Sequence, residues 1–526
     1  MALLSLPAIL KKQILLILLA PIILTLGWPP LITGLLLFVG FVPLLLLEKE
    51  ATKWVGIKLY FSLLLWNIGT TWWVWNASPE GCIAMLLANT YLMYLTFVVY
   101  RKVKKHFGLE TGLFAWVVSW LAFEYLHLNW EIAYPWLNLG NGMATMPYLI
   151  QWYEYTGALG GSLWILIVNC LVFRSLNQFN KRKTMGIAAV VVLPMLISGL
   201  ILWLQPLAPK GKPYSVVVVQ PNIDPYLEYE MQDPMAEVTH LTKMAETKVD
   251  SLTEFLLFPE TSITENCDEE NIASNFSYNI LTAWLKKYPR LTLVAGCNTY
   301  RFYDSTNKTS TSRKHNSGKY YDIFNSSIII TKEGVKDIYR KSKLVPGVEK
   351  MPYTGLFSFL ENYAIDLGGI SGSLGMDTMP RIFTSMNKVS AAPLICYESI
   401  FGEYASEFVQ KGANVIFVLT NDGWWGGTPG YKHHKLYARL RAIENRREVV
   451  RCTNTGTSCV IDKKGNITGE SEWWKPVTMK YTIHNETDVT FYTRFGDYIG
   501  KMAAWLFAIV FIMSIAGKHI RRKIFK

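Results

Sequence analysis

Seven stretches of mostly apolar residues crowd into the first 204 positions, and no other feature limits so strongly what this chain can fold into. Their cores run over 13–28, 31–47, 54–76, 82–100, 112–127, 157–174 and 185–204, with an eighth at 499–516. A helix needs about 20 such residues to cross a bilayer, and hydrocarbon tolerates only backbones that satisfy their own polar groups. These stretches are therefore expected to be membrane-spanning helices. The first follows Lys11 and Lys12 as a signal peptide would, yet Gly27-Trp28-Pro29-Pro30 comes next instead of a small-residue cleavage site. It reads as a retained span.

The charges follow the same division. The 526 residues carry 52 Lys+Arg and 40 Asp+Glu, a formal net charge of +12. Residues 1–204 hold 13 basic and 7 acidic side chains, 499–526 hold 6 basic and none acidic, and 205–498 hold 33 of each. A basic nucleic-acid-binding domain is thereby excluded. A composition 51% hydrophobic and 17% charged excludes a disordered chain. Lys11/Lys12, Lys49/Lys53, the Arg101–Lys105 cluster, Arg174 with Lys181–Lys183, and the Lys518–Lys526 tail all fall on one side of an eight-span arrangement, while the loops near 29–30, 77–81 and 128–156 have no Lys or Arg. The positive-inside rule puts the basic side in the cytoplasm. The expected organisation is a seven-helix membrane domain at 1–204, an outward domain at 205–498, and an eighth span with a basic cytoplasmic tail at 499–526.

Residues 128–156 are long, aromatic and nearly uncharged, which suits an interfacial aromatic belt or the wall of a lipid-accessible cleft. In the outward segment, short β-branched runs at 216–220, 255–258, 291–295, 327–331, 393–395, 415–420, 449–452 and 459–461 alternate with helical periodicity at 235–254, 271–288, 400–411 and 431–447. That pattern predicts a layered α/β or α+β domain. Seven scattered cysteines do not make a disulfide framework; Cys452 and Cys459 read as a hairpin pair or as two buried thiols. His433-His434 lacks a third ligand at metal-binding spacing. The glycines of 367–375 suit a mobile lid or a plain surface loop, and Trp473-Trp474 suits the bilayer interface or ordinary packing.

Three strand ends carry reactive side chains: Phe258-Pro259-Glu260, Tyr339-Arg-Lys341 running on to Pro346 and Glu349, and Ile395-Cys396-Tyr397-Glu398. A thiol with a pKa near 8.5 is mostly protonated at neutral pH, so it needs a base, and attack on a carbonyl needs donors aimed at the developing oxyanion. A carboxylate, a cation and a thiol in this order resemble the Glu-Lys-Cys triad of the nitrilase (carbon-nitrogen hydrolase) superfamily. Asn421-Asp422-Gly-Trp424-Trp425-Gly and the helix from His434 to Glu444 resemble it too. Seven spans before such a domain and one after are similar to the apolipoprotein N-acyltransferase family.

The resemblance implies an α-β-β-α sandwich inserted in a polytopic α-helical membrane protein. It implies Glu260 as general base, Cys396 as nucleophile, Lys341 and the Tyr397 N–H as oxyanion donors, and Glu349 and Glu398 around the lysine and the thiol. Tyr229, Asn421, Trp424 and His434 would bind substrate, with Tyr229 and Trp424 at a lipid-handling rim. The implied reaction moves an acyl chain from a glycerophospholipid, with phosphatidylethanolamine the expected donor, through a thioester on the cysteine to the α-amino group of an apolipoprotein's diacylglyceryl-cysteine. No metal or organic cofactor is implied. The setting is the inner membrane of a bacterium, with a periplasmic catalytic domain, cytoplasmic termini and a monomeric protein. Tyr229, Trp425 and Lys432 differ from the residues familiar in this family, which bears on acyl-chain or headgroup preference. Two rivals share the residues: a membrane-tethered amidase or thioesterase with water as acceptor, and a membrane scaffold whose catalytic domain is inert.

Overall fold

A computed structural model describes residues 7–31, 33–51, 53–176, 180–205, 211–224, 233–353 and 373–524. Tyr229 and positions 367–372 of the glycine-rich stretch lie outside them. The chain divides into two compact units, Met1–Gln205 with Phe495–Lys526, and Pro206–Arg494.

In the first unit, among the described residues, five helices are long and apolar enough to cross a membrane: Ala8–Leu26, Pro79–Phe107, Tyr153–Ser175, Lys181–Leu204 and Tyr498–His519. The other three expected spans fall on helices that do not meet both conditions. Residues 31–47 are broken into a 3-10 turn at Gly34–Leu36 and helices Leu37–Gly40 and Val42–Glu50, with Pro43 at the start of the last, where a missing N–H costs least. Val55–Thr71 has 17 residues, and Leu109–Asn129 buries Glu124 and His127. The unit's interior is aromatic: Phe41 meets Trp66, Trp116 and Trp120 edge-on, with centroids 4.7–5.8 Å apart. Its outside is apolar. Leu193, Leu196, Leu200, Trp505, Ile509 and Ile512 are exposed, the inverse of a soluble surface and the arrangement lipid requires.

The aromatic 128–156 loop belongs mostly to that interior. It coils through 3-10 turns at Pro135–Leu137, Leu139–Met143 and Pro147–Leu149, and Tyr134, Trp136 and Tyr153 are buried. Trp136 packs edge-on against Trp73 at 4.9 Å. Tyr148 and Tyr155 remain exposed and are the ones placed to meet an interface.

The second unit has two β-sheets packed face to face. The first runs β14-β1-β2-β4-β6-β5 in order, with β3 on β4 and β7 on β6; the second runs β13-β12-β11-β10-β9-β8, β12 being Cys459–Ile461. The strands that carry the site are β1 (Pro213–Gln220), β2 (Thr253–Leu257), β4 (Thr292–Tyr303), β6 (Tyr320–Thr331), β7 (Gly334–Arg340), β9 (Ser390–Ile395), β10 (Val415–Thr420) and β11 (Val449–Thr453). Runs such as Val216–Val219 and Val415–Leu419 are buried on both faces, which is why they read as continuous apolar segments. On one face of the first sheet Val217, Val219, Leu256, Leu293 and Ile328 pack with Val238, Leu241, Leu281 and Leu285 of helices Pro234–Glu246 and Phe276–Leu285. On the other, Phe255 meets Phe417 of the second sheet at 5.0 Å, and the Cys452 thiol reaches the Val219 and Leu257 carbonyls. Helices Gly402–Gln410 and Pro429–Asn445 cover the second sheet. The layers are helix, sheet, sheet, helix.

All eight expected runs are strands. The short or polar ones are absent from that reading: β3 (Ile263–Asp268), β5 (Arg313–Lys314), β8 (Phe383–Thr384), β13 (Ile467–Thr468) and β14 (Val477–His484). Cys452 and Cys459 are two buried free thiols. Trp473 stacks on Tyr431 at 3.9 Å.

Candidate active site

Parallel pairing of β1 with β2, β2 with β4, β9 with β10 and β10 with β11 brings several strand carboxyl ends to one edge, where α/β sheets hold their ligands. Glu260 follows β2, Cys396 follows β9, and Asn421 and Asp422 follow β10. Lys341 arrives from the β6–β7 hairpin. The antiparallel register pairs Ser326 with Arg340, and one step on, the Lys341 N–H donates to the Asn325 carbonyl at 2.8 Å.

These ends converge on buried charges. Lys341 Nζ donates to Glu260 Oε1 at 3.1 Å and to Glu349 Oε1 at 2.8 Å. Asn325 Nδ2 lies between the same two carboxylates, 2.8 Å from Glu260 and 3.2 Å from Glu349. The second Glu260 oxygen accepts the Asn421 N–H at 3.1 Å, and the second Glu349 oxygen accepts the Val345 N–H at 2.8 Å. An ammonium has three hydrogens, so Lys341 retains one for a substrate oxygen. Burial works against its charge, but Glu260 and Glu349 more than reverse this and hold its pKa well above the ordinary lysine value.

The turn carrying Glu260 presses into the sheet. A Cβ on Gly296 of β4 would lie 2.5 Å from the Glu260 Cα and 2.5 Å from the Pro259 oxygen, so only glycine permits this approach. Thr261 has φ 51°, a left-handed backbone that side chains other than glycine seldom adopt.

Cys396 is buried and also left-handed, at φ 48°, at the start of a 3-10 turn, Cys396–Ile400. Burial raises its thiol pKa well above the usual range, Glu260 adds to this, and Lys341 and a hydrogen bond to the Thr420 hydroxyl oppose it. The resting group is a neutral thiol. Tyr397, next in the chain, is buried and packs edge-on against Phe401 at 5.2 Å.

Glu398 lies between the turn that carries the lysine and the turn that carries the thiol. Its Oε1 accepts the Tyr339 hydroxyl at 2.5 Å and the Ser342 N–H at 2.7 Å, and its Oε2 accepts the Ile395 N–H at 2.8 Å. Its carboxylate thus ties the chain after Lys341 to the chain before Cys396. Burial pushes its pKa up to about 7, against the Tyr339 and backbone hydrogen bonds.

Of the residues expected to bind substrate, Trp424 is partly exposed and Asn421 and His434 are buried. Asn421 acts through its backbone on Glu260, and its side-chain oxygen accepts from the Gly423 N–H and the Thr455 hydroxyl. His434 lies inside the fold, with Nδ1 2.9 Å from Asp422 Oδ1 and Nε2 3.0 Å from the Cys396 carbonyl oxygen. Neither side chain is at a rim, because the helix Pro429–Asn445 turns His434 inward. Burial opposes the charge on Asp422, but Arg451 and His434 outweigh it and hold its pKa below the ordinary value. Asn325, Gly296, Ser399 and Arg451 were not singled out in the sequence. No sequence signal sets Asn325 apart, since Ser326 and Ser327 beside it are polar too and their burial comes from the fold. Among the described residues no group of three or more His, Cys, Asp or Glu is placed to hold a metal ion.

Residues 216–488 match the family model described as carbon-nitrogen hydrolase, and residues 20–171 match that of the apolipoprotein N-acyltransferase N-terminal domain. Among curated proteins, the apolipoprotein N-acyltransferase of Chlorobaculum tepidum is 28% identical, with 94% of each chain covered. The enzyme of the same name from Geobacter metallireducens is 24% identical, with 98% of each chain covered. Among solved structures, Saccharomyces cerevisiae Nit3 of the nitrilase superfamily aligns at TM-score 0.39 and 19% identity, over 52% of this chain and 92% of its own.

Proposed function

The chain belongs to the carbon-nitrogen hydrolase family, and from that premise we propose that it is an apolipoprotein N-acyltransferase. It transfers a fatty acyl chain from a glycerophospholipid to the α-amino group of the diacylglyceryl-cysteine that begins an apolipoprotein. The observation that carries this reading is a buried lysine fixed between a buried carboxylate, Glu260, and a half-buried one, Glu349, in a domain joined to apolar helices that keep it at a membrane. Similarity to apolipoprotein N-acyltransferases over nearly the whole chain supports it.

In the first half-reaction Cys396 Sγ attacks the ester carbonyl and its proton passes to Glu260. Lys341 and the Tyr397 N–H stabilise the oxyanion. Collapse breaks the ester C–O bond, and the leaving lysophospholipid oxygen takes the proton back from Glu260. In the second, the acceptor amine, whose pKa is near 8, attacks the thioester in its neutral form. Glu260 receives an amine proton and returns it to the departing sulfur. An amide and the free thiol result. Glu349 and Asn325 hold Lys341 and Glu260 in place throughout.

In the finer reading the protein has eight spans, places the 205–498 domain on the periplasmic face of a bacterial inner membrane, draws on phosphatidylethanolamine and works as a monomer. The alternation of basic and uncharged loops supports the orientation. The test is conversion of a diacylglyceryl-cysteine peptide to its N-acylated form by the purified protein and phospholipid. The reading predicts an amide-linked third chain. Release of free fatty acid at the same rate with and without peptide would establish a hydrolase instead.

A further inference from the structure

The carbonyl oxygen of Cys396 is gripped by two side chains that carry no role in the chemistry above. The Ser399 hydroxyl donates to it at 2.8 Å, and His434 Nε2 lies 3.0 Å from it. Ser399 and His434 also touch each other at 2.8 Å. Behind the imidazole stands a buried chain: His434 Nδ1 against Asp422 Oδ1 at 2.9 Å, and Asp422 Oδ2 against Arg451 Nη2 at 2.8 Å. Gly456 leaves room for it, because a Cβ there would lie 2.8 Å from Asp422 Oδ2. A carbonyl and an ionised carboxylate only accept, so each ring nitrogen needs a hydrogen to serve its partner. Burial, with Arg451, works against the imidazolium and outweighs Asp422 and the carbonyl, so the His434 pKa lies below the ordinary histidine value and a single ring N–H serves Asp422 or the carbonyl, which Ser399 also holds.

This carbonyl belongs to the same planar peptide unit as the Tyr397 N–H. Fixing the oxygen fixes the direction of the N–H at the other end. Hydrogen bonds to the oxygen also polarise the unit and make the N–H a stronger donor. The unit follows a left-handed Cys396, a conformation that persists only when its surroundings enforce it. We propose that Ser399 and His434, backed by Asp422 and Arg451, are positioning residues that aim and strengthen the Tyr397 N–H toward the oxyanion. This rests on the reading of that N–H as an oxyanion donor.

The test compares two reactions of Cys396 in the full-length, detergent-purified protein. Acylation by p-nitrophenyl butyrate, read as a p-nitrophenolate burst, passes through an oxyanion. Alkylation by iodoacetamide, read by peptide mass at Cys396, places no charge on a carbonyl oxygen. Ser399→Ala and His434→Leu are expected to slow the burst about tenfold, the scale of one lost hydrogen bond, with alkylation within twofold of the wild type. His434→Gln, which keeps an N–H, is expected to lose less than His434→Leu. A burst within twofold of the wild type in both variants overturns the proposal, and so does alkylation that falls in step with acylation, since the role would then be structural. Ser399→Ala removes a single oxygen and decides the matter if the histidine variants do not fold. A wild type that shows the burst but never takes an acyl group from phospholipid defeats the acyl-donor reading alone. One that shows neither defeats both.

Discussion

Moving a proton from Cys396 to Glu260 leaves the charge of the buried site unchanged. Before transfer, Glu260 and Glu349 are negative and Lys341 positive; afterwards, the thiolate replaces Glu260 as the second anion. In surroundings where burying a net charge is costly, this lets the nucleophile form only as the substrate arrives. The thiol therefore stays protonated at rest, and iodoacetamide alkylation of Cys396 without substrate is expected to accelerate only above pH 9, the raised direction of its pKa. A step at or below the ordinary thiol value would contradict this. Glu260→Gln and Lys341→Ala are each expected to reduce acylation at least a hundredfold, the scale on which base and oxyanion groups act. Normal acylation in either variant would remove the role assigned to it. Glu398 makes a different prediction. Its pKa is raised to about 7 from 4.5, so its contribution to stability is fully present below pH 4.5 and is lost as pH rises through 7. The shift corresponds to about 3 kcal/mol. Unfolding of the wild type measured against Glu398→Gln from pH 4.5 to 8 is expected to show that decline, and parallel curves would exclude it.

Among the elements, the strands that lie buried on both faces were legible in the sequence and the edge strands were not. Val216–Val219 and Val415–Leu419 announce themselves by apolar continuity. β14, half-exposed at a sheet edge with Lys480 and Thr482, has no such signature, because its place is set by pairing with β1 across more than 250 residues. The same division holds within the site. Glu260, Lys341 and Cys396 were legible because their order along the chain resembles a Glu-Lys-Cys triad, whereas Gly296 and Ser399 matter only through what the fold brings against them. His434 was expected to meet substrate and instead points into the domain, a direction that a helical pattern does not reveal when both faces of the helix are buried. Gly296→Ala tests the close approach of β4 to the base turn. The added methyl is expected to destabilise the protein by about 1–3 kcal/mol and to slow acylation by displacing Glu260. A thermal midpoint and acylation rate equal to the wild type would show that the turn can yield.

At the scale of the whole molecule, the net charge of +12 is a statement about orientation. The 205–498 segment sums to zero, and in the proposed topology the excess belongs to loops and a tail on one side of the apolar helices. All described cysteines are buried, so orientation is best read with cysteines introduced at exposed sites. In intact spheroplasts a membrane-impermeant maleimide is expected to modify Asn307→Cys directly, and Arg182→Cys only after lysis. The reverse pattern would invert the topology. The central claim is that this orientation serves one covalent step, a lipid acyl chain held on Cys396. Its most direct measurement is the mass of the Cys396 peptide after the purified protein meets phosphatidylethanolamine of defined acyl chains. The account predicts a thioester adduct of one such chain, absent in Cys396→Ser and discharged by a diacylglyceryl-cysteine peptide as an amide. An unmodified Cys396, or an adduct that forms equally in Cys396→Ser, would contradict it.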